Sequence, residues 1–287
     1  DGLPTDGSFL IKPLASAAGR GIRPWTPAAS HRGHGVSVTG RVWQRRVIGT
    51  PHAAAYIINR GHARLIGLTH QLIGEPWCHA GPFGYCGSIV VPKPSIPAGI
   101  ADQLACLGEL LAEAHGCVGA VGVDLVIDHD GSPWVIEVNP RSTASMELHE
   151  RSTGESVAGA HLHACGVAGA EPPRRRPVAR PIWAKAVLHA PLAIDVTVSL
   201  VEAWRATASS WTATDGGPPA LADIPTPGQS IPTGSPLLTV FAGDHDAASA
   251  LATIQRRAAH ILSLCDVGIS PPSSEAPSPS RPATRSA

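Results

Sequence analysis

The sequence predicts an α+β chain in two units. Three observations carry this: a crowd of β-type runs before residue 73, one clear helical stripe from 98 to 115, and a proline- and arginine-rich break at Glu171-Pro172-Pro173-Arg174-Arg175-Arg176-Pro177. Residues 8–12 (Ser-Phe-Leu-Ile-Lys) read as a short buried strand stopped by Pro13. A small-residue loop follows, Ser16-Ala17-Ala18-Gly19-Arg20-Gly21. Val42–Ile48, Ala53–Ile58 and Ala63–Ile73 read as strands separated by Gly49-Thr50-Pro51 and Asn59-Arg60-Gly61, spacings that predict an antiparallel meander. Ile100, Leu104, Leu107, Leu111 and Ala114 recur at helical intervals and mark an amphipathic helix. Two strands then flank Asp130-Gly131, and a helix is expected from about Ser142. The expected organisation is a first unit over 1–170, a linker over 171–180 and a small β-rich unit over 181–267. That second unit should hold strands near 182–190, 194–199 and 237–241, then a helix striped by Leu251, Ile254, Ala258, Ile261 and Leu262. Residues 268–287, rich in Ser and Pro, are expected to be a disordered tail.

Composition narrows the function. The 287 residues carry 22 basic and 22 acidic side chains, so the chain is formally neutral, and a charge-driven hold on nucleic acid is not expected. No apolar run reaches the roughly 20 residues a bilayer crossing needs, and Asp1-Gly2-Leu3-Pro4-Thr5 does not resemble a signal peptide. A cytoplasmic protein without membrane contact is the expectation. A chain that begins at Asp1, without Met and directly before a strand, suggests a trimmed front. The six cysteines lack paired spacing, which argues for reduced thiols over a disulfide framework or zinc ribbon. Lysine is so scarce, at Lys12, Lys93 and Lys185, that each one stands out.

The chemistry concentrates in residues 122–141. Asp-Gly between apolar runs favours a two-residue hairpin turn, and counting outward from Asp130-Gly131 sets Asp124 opposite Glu137. Period-two alternation then puts Glu137 and Asn139 on one face. Two carboxylates facing at about 5 Å repel, so a positive charge belongs between them. An all-oxygen set suits a hard cation such as Mg²⁺ or Mn²⁺, and the absence of His and Cys disfavours zinc. Arg141, two residues on, is placed to pair with a phosphate or carboxylate. His161-x-His163-x-Cys165 is read as no metal site, since a spacing of two on a helix splits the side chains between faces.

On Asp124 and the Glu137-Val138-Asn139-Pro140-Arg141 run, the chain resembles the ATP-grasp superfamily, in particular its carboligases related to biotin carboxylase. The resemblance implies the ATP-grasp fold, two α+β lobes gripping ATP, followed by a small C-terminal domain. It implies ATP and Mg²⁺ or Mn²⁺ as cofactors, with the metal held by Asp124, Glu137 and Asn139. Lys12 and the loop Ser16, Ala17, Ala18, Gly19, Arg20 and Gly21 would hold and cover the phosphates, as glycines allow backbone N–H groups near phosphate oxygens. Gln44, Arg45 and Val47 fall in the stretch that resembles the hinge along adenine. No acid ends that stretch, so the ribose contact is unassigned. Arg141 and Lys12 carry the catalytic roles the resemblance implies. The α/β domain that precedes this fold in the family is not in the sequence. The implied activity is a ligase joining a small-molecule carboxylate to an amine or other nucleophile, in cofactor biosynthesis, with homodimerisation open. A bicarbonate-phosphorylating carboxylase and a nucleotide binder without turnover are the alternatives.

Overall fold

The computed structural model describes residues 3–26, 40–170, 181–212 and 218–267. The expected linker at 171–180 and tail at 268–287 lie outside the described residues. A small antiparallel sheet comes first, from β1 (Phe9–Pro13), β2 (Arg23–Pro24) and β3 (Arg41–Arg45), in the order β2-β1-β3. Ile11 is its buried centre, and the Trp25 and Trp43 rings meet edge to face at 5.7 Å.

The expected meander is corrected at its start. β3 pairs with β1 and not with the next strand, and only Arg46–Ile48 join the small sheet to β4 (Gly49–Asn59). Gly49-Thr50-Pro51, read as a separator, opens β4 instead, zipped to the partner that ends at Asp128. Pro51 is tolerated there because pairing on the other side of β4 begins only at His52, so no second partner needs its missing N–H. β5 (His62–Ile73) returns through Arg60-Gly61, both at positive φ, the two-residue turn whose twist suits a hairpin.

β6 (Tyr85–Val91), β7 (Gly119–Asp128) and β8 (Pro133–Asn139) extend this sheet, as do β9 (Ile182–His189), β11 (Leu221–Ala222) and β13 (Pro236–Asp244). The eight strands run β11-β13-β9-β6-β5-β4-β7-β8, all antiparallel. One sheet therefore passes from the first stretch into the second through β6 and β9, at Gly87↔Ala186 and Ser88↔Lys185. The pair β10 (Ile194–Asp195) and β12 (Ser230–Ile231) stands apart.

Helices cover both faces. α1 (Ala98–Glu113) lays Leu104 and Leu111 on Ala54, Tyr56 and Ile58, and the Tyr56 hydroxyl donates to the Leu104 carbonyl at 2.8 Å. On the same face α5 (Ala247–Val267) packs Ile254, Ala258 and Ile261 on Leu188, Val240 and the fully buried Trp204. Trp204 belongs to α4 (Val198–Thr212), a helix absent from the sequence reading, which ran a strand to 199. Thr197 stops that strand early, because its hydroxyl accepts from the Leu200 amide at 3.1 Å and caps a helix. The opposite face carries α2 (Met146–Thr153), which starts four residues later than expected, and α3 (Val157–Ala164). Among the described residues no helix is long and apolar enough to cross a membrane.

On this second face His149 lies directly under Gly67, where an added Cβ would meet its ring at 2.5 Å. Burial first, and the Lys93 charge second, push the imidazole from 6.5 down to about 4. The unfolded chain therefore binds a proton between those values that the fold does not, so stability is complete above pH 6.5 and falls as the pH drops toward 4. The expected loss from this residue is about 3 kcal/mol, and urea titrations of His149→Leu across that window should have a correspondingly shallower pH slope.

Candidate functional site

The hairpin of β7 and β8 sets Asp124 directly opposite Glu137, as the sequence predicts, but by a different route. The loop has three residues, His129-Asp130-Gly131, because the Asp128 amide donates to the Ser132 carbonyl at 3.1 Å and Gly131 takes φ +79. That longer loop shifts the register by one, and a bulge between Asp124 and Leu125 shifts it back. The two departures cancel.

Asp124, Glu137 and Asn139 therefore share one end of the α2–α3 face. Asn139 is buried, and its amide nitrogen lies 3.4 Å from one Asp124 carboxylate oxygen. The other Asp124 oxygen accepts from Gln71 at 2.8 Å. Arg141 is exposed and donates to the Asn139 amide oxygen at 3.0 Å and to the Ser142 carbonyl at 3.1 Å. Burial raises the Asp124 pKa and the facing Glu137 adds to that, while the Gln71 bond and the Arg141 charge oppose it. Lys12, half-buried on β1, has its pKa lowered by burial and raised in part by the charge of Glu137, so the two lie within electrostatic reach across the two sheets.

Pairing places the remaining expected residues. Lys12 faces Val42 and Leu10 faces Gln44, so Lys12 and Gln44 share a face of the small sheet. Arg45 pairs with Phe9 and belongs to the opposite face. Val47 lies in the connection to β4. The loop Ser16–Gly21 turns twice, through Arg20 N–H to Ala17 O at 3.2 Å and Ile22 N–H to Gly19 O at 3.3 Å. It is docked on the loop before β6, where the Tyr85 amide donates to the Ala18 carbonyl at 3.3 Å.

Gln71 is the contact that the sequence reading missed. It follows His70 within the apolar run of β5, and a polar pair inside such a run is the available signal. Tyr85, Ser88, Glu147 and Lys185 lie on or against the same sheet face and are likewise outside the sequence-predicted site. The Tyr85 and Ser88 hydroxyls are 3.0 Å apart, and Lys185 reaches Glu147 at 2.7 Å. His161 and Cys165 are neighbours at 3.8 Å while His163 turns to the Ala170 carbonyl at 3.1 Å, and no three-residue His, Cys, Asp or Glu metal cluster exists among the described residues. None of the six cysteines is joined in a disulfide. A cavity of about 310 Å³ lined by Ile57, Asn59, His62, Arg64 and His163 sits at the far end of β4 and shares no residue with the Asp124 group.

Comparison with known proteins bears on the fold. Residues 3–145 match the family model described as the ATP-grasp domain. The carbamoyl phosphate synthase large chain of Halomonas eurihalina is 30% identical over 101 residues, which is 35% of this chain and 9% of that protein. Carboxyaminoimidazole ribonucleotide synthase from Aspergillus clavatus, solved complexed with ATP, superposes with a TM-score of 0.63 at 13% identity, over 90% of this chain and 63% of that one. L-amino acid ligase from Bacillus licheniformis gives 0.58 at 16% identity, over 87% and 61%. This chain thus spans less than two thirds of the length of each.

Proposed function

Because the chain belongs to the ATP-grasp superfamily, we propose that it is an ADP-forming, Mg²⁺-dependent ligase that activates a small-molecule carboxylate as its acyl phosphate for attack by an amine or other nucleophile. The observation that carries the reading is the Asp124↔Glu137 pair with Asn139 and Arg141 locked to it, electrostatically coupled to Lys12.

The donors fit a hard divalent ion. Two carboxylates oppose each other on one sheet face, and the Asn139 amide adjoins them with its nitrogen toward Asp124 and its oxygen toward Arg141, so the only metal-ligating atoms these side chains can offer are oxygens. Asp124, Glu137 and Asn139 would hold Mg²⁺ or Mn²⁺, which when bound supplies positive charge to the phosphate oxygens of ATP. Lys12 neutralises further phosphate charge from the small sheet. The Ser16–Gly21 loop would cover the phosphates, and Gln44, which shares the Lys12 face, and Val47, in the connection to β4, would meet adenine, whereas the Arg45 side chain belongs to the opposite face of the small sheet. Gln71 holds one Asp124 oxygen and would leave the other to a bound metal. Arg141 keeps its guanidinium over Asn139, positioned to stabilise the transferring phosphoryl group and the acyl phosphate. A carboxylate oxygen attacks the γ-phosphorus as the bond to ADP breaks. The nucleophile then attacks the acyl carbon, and phosphate leaves.

The test is trapping. Mg-ATP is supplied with a panel of carboxylates and hydroxylamine, which captures acyl phosphates as hydroxamates. Hydroxamate and ADP in equal amounts with one class of carboxylate is the expected result. ADP release with bicarbonate alone would move the reading to a carboxylase, and nucleotide binding without ADP release from any acceptor would move it to a non-catalytic binder.

A further inference from the structure

The row of paired residues across the α2–α3 face runs beyond the site. Glu137 faces Asp124, Asp124 faces Ala53, and Ala53 faces Thr69; two residues along β5, Gln71 faces Ser88, and Ser88 faces Lys185. Lys185 thus stands on the same surface, contributed by β9 from beyond the 171–180 stretch. It is 3% exposed, a burial that a charged ammonium tolerates only with partners. Its partners are the Ala144 carbonyl and the Glu147 carboxylate, the latter at 2.7 Å. Both belong to the segment that leaves Asn139, carries Arg141 and enters α2.

That segment is held from two sides. Thr143 presses on Gly122, where an added Cβ would lie 2.3 Å from the threonine methyl, and Lys185 grips Ala144 and Glu147. Between Asn139 and these anchors the backbone turns sharply, with the Arg141 amide donating to the Asn139 carbonyl at 2.7 Å. Arg141 is exposed, and one of its two bonds goes to the carbonyl of Ser142, so its direction depends on where that backbone lies.

We infer that Lys185 is a positioning residue: the strut from β9 to residues 144–147 sets Asn139 and Arg141 in place, so the metal end of the site is completed by the C-terminal stretch. The inference rests on the ATP- and metal-binding reading above. A buried cation joined to a main-chain carbonyl and a carboxylate makes a stiff strut, whereas an apolar residue of equal length fills the space without gripping either group.

Lys185→Met tests it, with AMP-PNP and Mn²⁺ as probes in the intact chain. Calorimetry reads AMP-PNP affinity without metal, and electron paramagnetic resonance reads Mn²⁺ affinity with AMP-PNP present. The expected result is metal-free nucleotide affinity within twofold of wild type and Mn²⁺ affinity about tenfold weaker. Glu147→Gln, at a half-exposed position, should weaken Mn²⁺ about threefold, and the double variant should be no worse than Lys185→Met alone. If Lys185→Met does not fold, Glu147→Gln carries the test. Unchanged Mn²⁺ affinity in the folded variants, or equal losses with and without metal, overturns the inference while the nucleotide reading stands. Failure of the wild type to bind Mn²⁺ and AMP-PNP at all overturns both.

Discussion

Glu137→Ala is expected to abolish ADP release from Mg-ATP while leaving the chain folded and no less stable. Glu137 is exposed on the edge strand β8, so no core packing is lost with it. Its carboxylate faces that of Asp124, and opposed like charges in a sheet destabilise by about 0.2–1 kcal/mol, which the substitution relieves. Asp124 should then ionise more readily, since Glu137 is one of the causes of its raised pKa. Against this small gain stands the loss of one of two acids that hold the cation beside the phosphates. A preorganised charge of that kind is worth on the order of 10²–10³-fold in rate, roughly 3–4 kcal/mol. Loss of activity with an unchanged or slightly raised melting temperature is therefore the signature of a functional carboxylate. A fall of several degrees in parallel with activity would make Glu137 a structural residue, and full activity would remove it from the site. Glu137→Gln separates charge from shape, and Mn²⁺ binding in the presence of AMP-PNP provides a readout that needs no acceptor.

The expected pairing of Asp124 with Glu137 was legible because side-chain period and turn chemistry are local. Yet the local premise was wrong by one residue in the loop, and the bulge that restores the register has no sequence marker in Val135-Ile136. The strands from Ala53 to Ile73 and the helix from Ala98 were legible from period alone. What stayed hidden was non-local. Nothing around Arg41–Arg45 says that it pairs back to Phe9–Pro13 and not forward, and nothing in Ile182–His189 says that it joins β6. Lys185 stood out by the rarity of lysine, but its meaning depends on residues about 40 positions away. Thr197 carried a readable capping signal that the short apolar run around it obscured.

Gly19→Ala is expected to weaken nucleotide binding by one to two orders of magnitude without unfolding the chain. A Cβ built on Gly19 falls 1.7 Å from the Phe83 carbonyl oxygen and 2.6 Å from its carbon, and both are backbone atoms that no rotamer change can move. The residue also sits at φ +77, beside Ala18 already at φ 54, so the turn has no spare conformational latitude. The loop must lift from the Phe83–Tyr85 segment, and the bond from the Tyr85 amide to the Ala18 carbonyl goes with it. Gly61→Ala is the matched control: its φ of +79 is the same within a few degrees, but nothing lies within 4 Å of the added methyl. That variant carries the backbone penalty alone, about 1–2 kcal/mol, at a hairpin tip remote from Lys12. The difference between the two in AMP-PNP affinity isolates the docked loop from generic loss of stability. If both variants bind as wild type does, residues 16–21 do not cover the phosphates, and Lys12 is left as the sole phosphate ligand proposed on the small sheet. If only Gly19→Ala loses affinity, the contact with Phe83 is what holds the loop over the nucleotide, and the length of the Gly74–Gly84 loop beneath it becomes a determinant of ATP affinity.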